Sequence, residues 1–262
     1  MAEKKIGEIG AELKTLDMSE YAGFIETYST DERPGVQKIV TKAKHAVQKL
    51  YDEMDRMEAL KKYERGYWNQ GQCLVCGIDE AGRGPLAGPV VAGAVVFAPD
   101  CDILYINDSK KLSAKKREEL YDEIMEKALA VGVGIVDAKR IDEINILQAT
   151  YEAMRMAIGK LGDYGVEPDV LLNDAVTIPG VQIPQVPIIK GDAKSFSIGA
   201  ASIIAKVTRD RMMVAYDEQY PEYGFAGHKG YGTKEHYEAL RTYGVTPIHR
   251  RSFLESMGEA YK

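Results

Sequence analysis

At 262 residues, 45% of them hydrophobic and 28% charged, the chain is long enough for one substantial core plus a smaller second unit, and its composition is that of a soluble globular protein. No window approaches the roughly 20 unbroken apolar residues of a membrane span, and the polar start MAEKKIGEIG lacks the apolar centre of a secretory signal, so a cytoplasmic location is expected. A formal net charge of −6 speaks against a protein that coats nucleic acid unselectively, although carboxylates reserved for cations would lose part of that charge once loaded.

Ile6, Ile9, Leu13 and Leu16 predict a short first helix. A long one is predicted from Pro34, whose apolar positions Val36, Val40, Ala43, Val47, Leu50, Met54 and Met57 alternate spacings of four and three. Asp31 is a candidate cap shortly before it, and Pro34 suits a first helical turn. Residues 1–70 therefore read as a small α-helical N-terminal extension: a hairpin packed on itself or on the next domain, or else a substrate-binding arm or dimer seam.

From Gly71 the pattern changes. Leu74 to Ile78, Val90 to Phe97 and Ala130 to Val136 are short, apolar and punctuated by Gly or Pro, which predicts strands of a covered sheet. Ser113 to Lys127, opening on a serine cap, is predicted helical, as is Asn145 to Leu161. Strands at Asp169 to Leu172 and Val186 to Ile189 precede a long helix from about Phe196 to Tyr216. Strands first, then alternation with helices, imply an α/β domain with a mixed sheet over residues 71–262. Cys73, Cys76 and Cys101 are an odd number with no second C-x-x-C pair; they read as plain thiols, with metal or redox use as the alternative.

The densest chemical signal is Gly77-Ile78-Asp79-Glu80-Ala81-Gly82-Arg83-Gly84-Pro85-Leu86-Ala87-Gly88-Pro89. A strand that ends in two acids and enters a glycine-rich turn sets carboxylates beside bare backbone, which can approach a sugar or phosphate closely. The same glycines could serve only a tight turn; the Lys-Ser/Thr of a Walker loop is missing. Asp174 ends the apolar run Val170-Leu171-Leu172-Asn173, and Asp192 follows Val186-Pro187-Ile188-Ile189 in Lys190-Gly191-Asp192. Either aspartate alone suits a turn, but strand ends in open α/β sheets are where ligands collect, so the separated acids can converge. Converging carboxylates raise one another's pKa or recruit a cation. Oxygen ligands without a His/Cys cluster suit Mg2+ or Mn2+, and two such ions about 4 Å apart are the tool of phosphodiester chemistry. Asn107, Ser109 and Lys110 in a polar, basic loop, Ser202 and Lys206 on one helix face, and Tyr231 in Gly227-His228-Lys229-Gly230-Tyr231-Gly232-Thr233 are candidate backbone contacts, or ordinary solvated surface. His249-Arg250-Arg251-Ser252-Phe253 either touches phosphates or decorates the surface.

The blocks GIDEAGRGPLAGPVV, NDSKKLS, IDEINILQAT, LLNDA, KGDAKSFSIGAASIIAKVTRDRM, YGFAGHKGYGT and HRRSF resemble, in order, the motifs of bacterial ribonuclease HII, from about Gly71 to Phe253. The leading helices resemble those of the longer Firmicutes forms. The resemblance implies a ribonuclease H-like mixed β-sheet flanked by helices, and metal-dependent hydrolysis of RNA in RNA/DNA hybrids and at single ribonucleotides in duplex DNA, as in ribonucleotide excision repair. It implies that Asp79, Glu80, Asp174 and Asp192 are the catalytic, metal-binding acids. It further implies that the Gly82-Arg83-Gly84 backbone senses the ribose 2′-hydroxyl, the group that distinguishes RNA from DNA, and that Tyr231 packs on the next sugar. Asn173 departs from the apolar residue many members carry before the aspartate, which puts the orientation of Asp174 in question. Rival readings are a non-catalytic hybrid-binding module, a phosphate-binding transferase, or ribonuclease HIII, which usually lacks both the GRG and KGD segments. A monomer is expected, and Met257 to Lys262 shows no clear clamp-binding peptide.

Overall fold

The computed structural model describes residues 4–254, so Met257 to Lys262 lies outside the described residues. The chain divides into two compact units, one ending at Ala59 and the other beginning at Leu60.

The first unit is helical. α1 (Ile6–Thr15), α2 (Tyr21–Tyr28) and α3 (Pro34–Leu60) bury Ile9, Leu13, Phe24, Tyr28, Val36, Val40 and Ala43 in one cluster. The first part of the apolar stripe read from the sequence thus joins a core within this unit, while Met54 further along is exposed; α2 was not anticipated. Asp31 accepts from Arg33 N–H and pairs with the Arg33 guanidinium, so it braces the turn before α3 instead of capping a donor inside it.

The second unit opens with α4 (Lys62–Trp68) and is built on a five-stranded sheet, ordered β3-β2-β1-β4-β5. The strands are β1 (Val75–Ala81), β2 (Val90–Val96), β3 (Ala130–Val136), β4 (Val170–Asp174) and β5 (Gln185–Ile188). β1 pairs antiparallel with β2, as does β2 with β3, while β4 and β5 run parallel to β1, giving the expected mixed sheet. α5 (Ala114–Lys127) begins at the predicted Ser113 cap. α6 (Ala138–Lys160) starts seven residues earlier than predicted. The expected boundary survives as a break, for Asn145 has φ 67° and its Oδ1 accepts from the N–H groups of Leu147 and Gln148.

α7 (Phe196–Gln219) lies directly on the sheet. A Cβ at Gly77 would collide with the Ser197 backbone, and one at Gly93 with the Ala201 carbonyl. Glycine at both positions lets the helix approach strand backbone and delivers Ser202 and Lys206 toward the end of β1. The start of α7 is held from α4: the buried Glu64 Oε1 accepts from Ser195 Oγ at 2.5 Å, Ser197 N–H at 2.9 Å and Ser197 Oγ at 2.7 Å. Glu64→Ala strips these donors of their acceptor inside the core, so a loss of about 1–3 kcal/mol is expected. A thermal melt reads this as a drop of roughly 2–4 °C per kcal/mol; an unchanged melting temperature would mean that Ser195 and Ser197 find other acceptors.

Candidate active site

The acids meet because three parallel strands stop at one edge. β1 and β4 pair from Val75↔Val170 to Ile78↔Asn173, and one further step in that register sets Asp79 against Asp174. Asp174 in turn pairs with Ile188 of β5, three residues before the turn that carries Asp192. The apolar run read as Leu74 to Ile78 ends in the two acids as expected: the strand continues through Asp79 and Glu80, because pairing with β2 (Asp79↔Gly93, Glu80↔Ala92) persists beyond the last β4 pair.

Their electrostatics are those of crowded, desolvated carboxylates. Burial, then the charges of Glu80 and Asp174, push Asp79 well above the ordinary aspartate value, against hydrogen bonds from Ser202 and the Glu80 N–H. Burial also raises Glu80, opposed by Arg83, whose guanidinium donates to its Oε1 at 3.2 Å. Asp192 is raised by burial and by the charges of Asp108 and Asp174. Asp174 Oδ1 accepts the Gly191 N–H at 2.7 Å, which ties the turn bearing Asp192 to the end of β4. Glu80 Oε2 is buried with no hydrogen-bond partner. Among the described residues no three His, Cys, Asp or Glu side chains form a finished metal cage. The acids are an open row with spare oxygen valence, and their donor chemistry fits a hard divalent cation.

Ser109 and Ser202, read from the sequence as substrate contacts, lie buried with their hydroxyls 2.9 Å apart. Ser202 also bonds Asp79, so the pair braces the back of that carboxylate. Asn107 accepts the Asp108 N–H, while Lys110 is exposed, and its charge reaches both Glu80 and Asp192. Lys206 is half-buried and paired with Asp210 at 2.5 Å. With Arg117, Arg211, Lys229 and Tyr231 it lines a cleft of about 810 Å³. None of the four acids lines that cleft. Asn173 is wholly buried and donates to the Val176 carbonyl and to Gln185 Oε1, tying down the segment after Asp174. Cys73 is exposed, while Cys76 and Cys101 are buried; burial pushes the Cys76 thiol up to about 12.

The glycine segment is held by two residues whose role the sequence reading missed. Arg250 is 0% exposed; its guanidinium donates to the carbonyls of Gly82 at 2.5 Å, Arg83 at 2.8 Å and Gly88 at 3.0 Å. Arg209, also buried, donates to Pro89, Ala87 and Lys229. Burial draws the guanidiniums down, to about 9 and about 10 respectively, which leaves both charged at neutral pH. Arg250 therefore neither touches phosphates nor decorates the surface. Because a trans peptide sets N–H opposite C=O, and no peptide here is cis, carbonyls of Gly82 and Arg83 turned inward leave the N–H groups of Arg83 and Gly84 facing out. Both residues are exposed. The ring of Tyr231, 45% exposed, lies alongside: a Cβ on Gly84 would sit 3.9 Å from its Cε1.

The family model for ribonuclease HII matches residues 76–256, and that for the ribonuclease HII N-terminal domain matches residues 5–68. Ribonuclease HII of Lachnoclostridium phytofermentans is 59% identical over 253 residues, 97% of this chain and 98% of its own. That of Clostridioides difficile is 53% identical over 257 residues, 98% of this chain and 100% of its own. Among solved structures, ribonuclease H2 from Pyrococcus horikoshii aligns with TM-score 0.58 at 31% identity, over 71% of this chain and 94% of that one. Bst-RNase HIII in complex with Mn2+ shares the fold at TM-score 0.50 and 17% identity, over 65% of this chain and 70% of that one. With both family models matched in order and relatives aligned over nearly its whole length, the chain belongs to the ribonuclease HII family.

Proposed function

We propose that the protein is a divalent-metal-dependent endonuclease that hydrolyses the RNA strand of RNA/DNA hybrids and incises on the 5′ side of a single ribonucleotide in duplex DNA, leaving 3′-hydroxyl and 5′-phosphate ends. Family membership supports the ribonuclease H activity. The observation that carries the finer selectivity is the outward-facing Arg83 and Gly84 N–H groups, held beside the carboxylate row by the inward pull of Arg250 on the carbonyls of Gly82 and Arg83.

Asp79, Glu80, Asp174 and Asp192 would hold Mg2+ or Mn2+. The partnerless buried Glu80 oxygen and the all-oxygen donor set support that assignment, and Bst-RNase HIII in complex with Mn2+ is a precedent on the same fold. Divalent cations bound there supply Lewis-acid polarisation of a phosphodiester and a lowered pKa for water. The chain's own groups do the positioning. Ser202 and Ser109 fix Asp79 from behind, and Lys110 brings a positive charge to the Glu80 and Asp192 side of the row. The Gly82-Arg83-Gly84 backbone meets the 2′-hydroxyl, and Tyr231 packs on the sugar that follows. All these groups belong to one chain, which supports a monomer as the acting form, and no described helix is long and apolar enough to cross a membrane. A cytoplasmic role in removing ribonucleotides from DNA follows from this reading.

A labelled DNA duplex with one ribonucleotide, a uniform RNA/DNA hybrid and an all-DNA duplex, each with Mg2+, Mn2+ or chelator, test the assignment. Incision 5′ to the ribonucleotide and within the hybrid, only with metal, is expected. Cutting of the all-DNA duplex, or no incision at the ribonucleotide, overturns it.

A further inference from the structure

Three of the chain's four histidines gather behind Tyr231. His236 and His249 are buried, and neither reaches the acids or the substrate side of the loop. Their hydrogen bonds run in one fixed direction. The Thr246 N–H donates to His249 Nδ1 at 2.9 Å, and since a backbone N–H can only donate, that ring nitrogen carries no proton and also accepts from the Thr246 hydroxyl, 2.8 Å away. The proton of His249 is then on Nε2, which lies 3.0 Å from His236 Nε2 and must donate to it. His236 is left with its proton on Nδ1, which donates to the Tyr231 carbonyl at 2.9 Å. A carbonyl only accepts, so both ends of the chain independently demand the same tautomers. His228 closes the arrangement. Its Nδ1 accepts the Gly230 N–H at 3.1 Å, its Nε2 donates to the Tyr223 carbonyl at 2.8 Å, and its ring stacks on His236 with centroids 4.6 Å apart.

We propose that His236 and His249 are positioning residues which, through this one-way relay, fix the Tyr231 carbonyl and thereby the ring that packs against the substrate sugar. The proposal rests on the reading of Tyr231 given above. The relay's terminus is the backbone of the specificity residue itself, whose carbonyl also accepts the Thr233 N–H at 2.8 Å. On the other side, Gly230 is locked to the glycine segment, its carbonyl accepting the Leu86 N–H at 2.8 Å, so the ring and the ribose-sensing backbone are set by one scaffold. Burial supports the uncharged state of both imidazoles, drawing His236 down to about 4 and His249 to about 3. A further proton on either ring would set two N–H groups against each other.

The test uses the full chain with Mg2+ and compares kcat/KM on a single-ribonucleotide duplex with that on a uniform hybrid, alongside thermal melts. His236→Leu removes both ends of its link; His236→Asn keeps an amide donor where Nδ1 stood. The expected result is a fall of about tenfold or more in the ratio of the two rates for His236→Leu, the equivalent of about 1.4 kcal/mol. His236→Asn restores most of the ratio even though its melting temperature stays low. A cluster that merely fills the core would lower both rates together and leave the ratio unmoved in both variants, and that result overturns the proposal. Imidazole 15N NMR of the unmutated protein is a second reading that needs no variant to fold. It should show the proton of His249 on Nε2 and that of His236 on Nδ1; the opposite tautomers overturn the relay. If the unmutated enzyme makes no incision at the ribonucleotide, the functional reading fails and the role of the relay falls with it. If it does incise and the ratio is unmoved, the relay alone is wrong.

Discussion

Asp79→Asn is expected to lose metal-dependent incision by roughly a thousandfold or more, the scale of a few kcal/mol of lost transition-state charge stabilisation, while making the metal-free protein harder to unfold at neutral pH. The two effects have one cause. Asp79 is buried among Glu80 and Asp174, so its carboxyl holds a proton more tightly in the folded protein than in the unfolded chain. Between the ordinary aspartate value of 3.8 and the raised folded value, the folded state binds the extra proton, and stability falls as pH rises through that window. Above it the full penalty of an ionised, crowded carboxylate remains. Asparagine keeps the shape and cannot ionise. The melting temperature of Asp79→Asn in chelator should therefore match the unmutated protein in the acidic range and exceed it progressively toward neutral pH. Mg2+ should raise the melting temperature of the unmutated protein and have much less effect on the variant. A variant that is less stable than the unmutated protein at neutral pH in chelator would show that Asp79 is not strained by its neighbours, and retained incision would remove it from the catalytic set.

The carboxylate row was legible because its signal is local. A short apolar run ending in an acid can be read residue by residue, and β1, β4 and the turn after β5 each carry such an end. Their convergence needed only the parallel pairing that a mixed sheet supplies. What stayed hidden depends on partners distant in sequence. Arg209 and Arg250 look like any surface arginine in a charged stretch, and nothing near them announces that they donate to backbone carbonyls more than a hundred residues away. The one available hint was that Arg209 falls at helical spacing between Ala205 and Met213, where a charged side chain is out of place. Glu64 is similar: nothing in Lys-Tyr-Glu-Arg marks a carboxylate that accepts from Ser195 and Ser197 at the start of α7. Ser109 and Ser202 show the opposite error. They were read as substrate contacts, but a hydroxyl near a substrate and a hydroxyl behind a buried carboxylate give the same sequence pattern, and burial alone separates them. The first turns of α6 escaped because Asn145, at φ 67°, looks like a helix start and is one, with another helical segment already ending on it.

Arg250→Lys is the substitution expected to separate ribose selectivity from catalysis. The guanidinium is planar and holds the carbonyls of Gly82, Arg83 and Gly88 at once with donors fixed in a fork. An ammonium on a flexible stem is a point donor, and it cannot span three carbonyls arranged around a plane. At least one of the peptide groups from Gly82 to Gly84 is then free to turn, and because a peptide rotates as a unit, each carbonyl that turns out takes the following N–H in with it. The carboxylate row lies on strand ends that Arg250 does not bond, so metal-dependent cutting should persist. The preference for the single-ribonucleotide duplex over the all-DNA duplex should fall about tenfold, the worth of one well-made hydrogen bond to a substrate hydroxyl. Arg250→Ala is the harsher control: it leaves three carbonyls in the core without a donor, at about 1–3 kcal/mol each where no water replaces it, and is expected to lower the melting temperature by far more than the lysine variant does. The decisive comparison is kcat/KM on the two substrates for Arg250→Lys. Selectivity equal to that of the unmutated protein would mean that the glycine segment keeps its conformation without the fork, through the Arg209 bonds to Ala87 and Pro89 and the backbone bonds of Leu86 and Gly88 to Gly230 and Ile248.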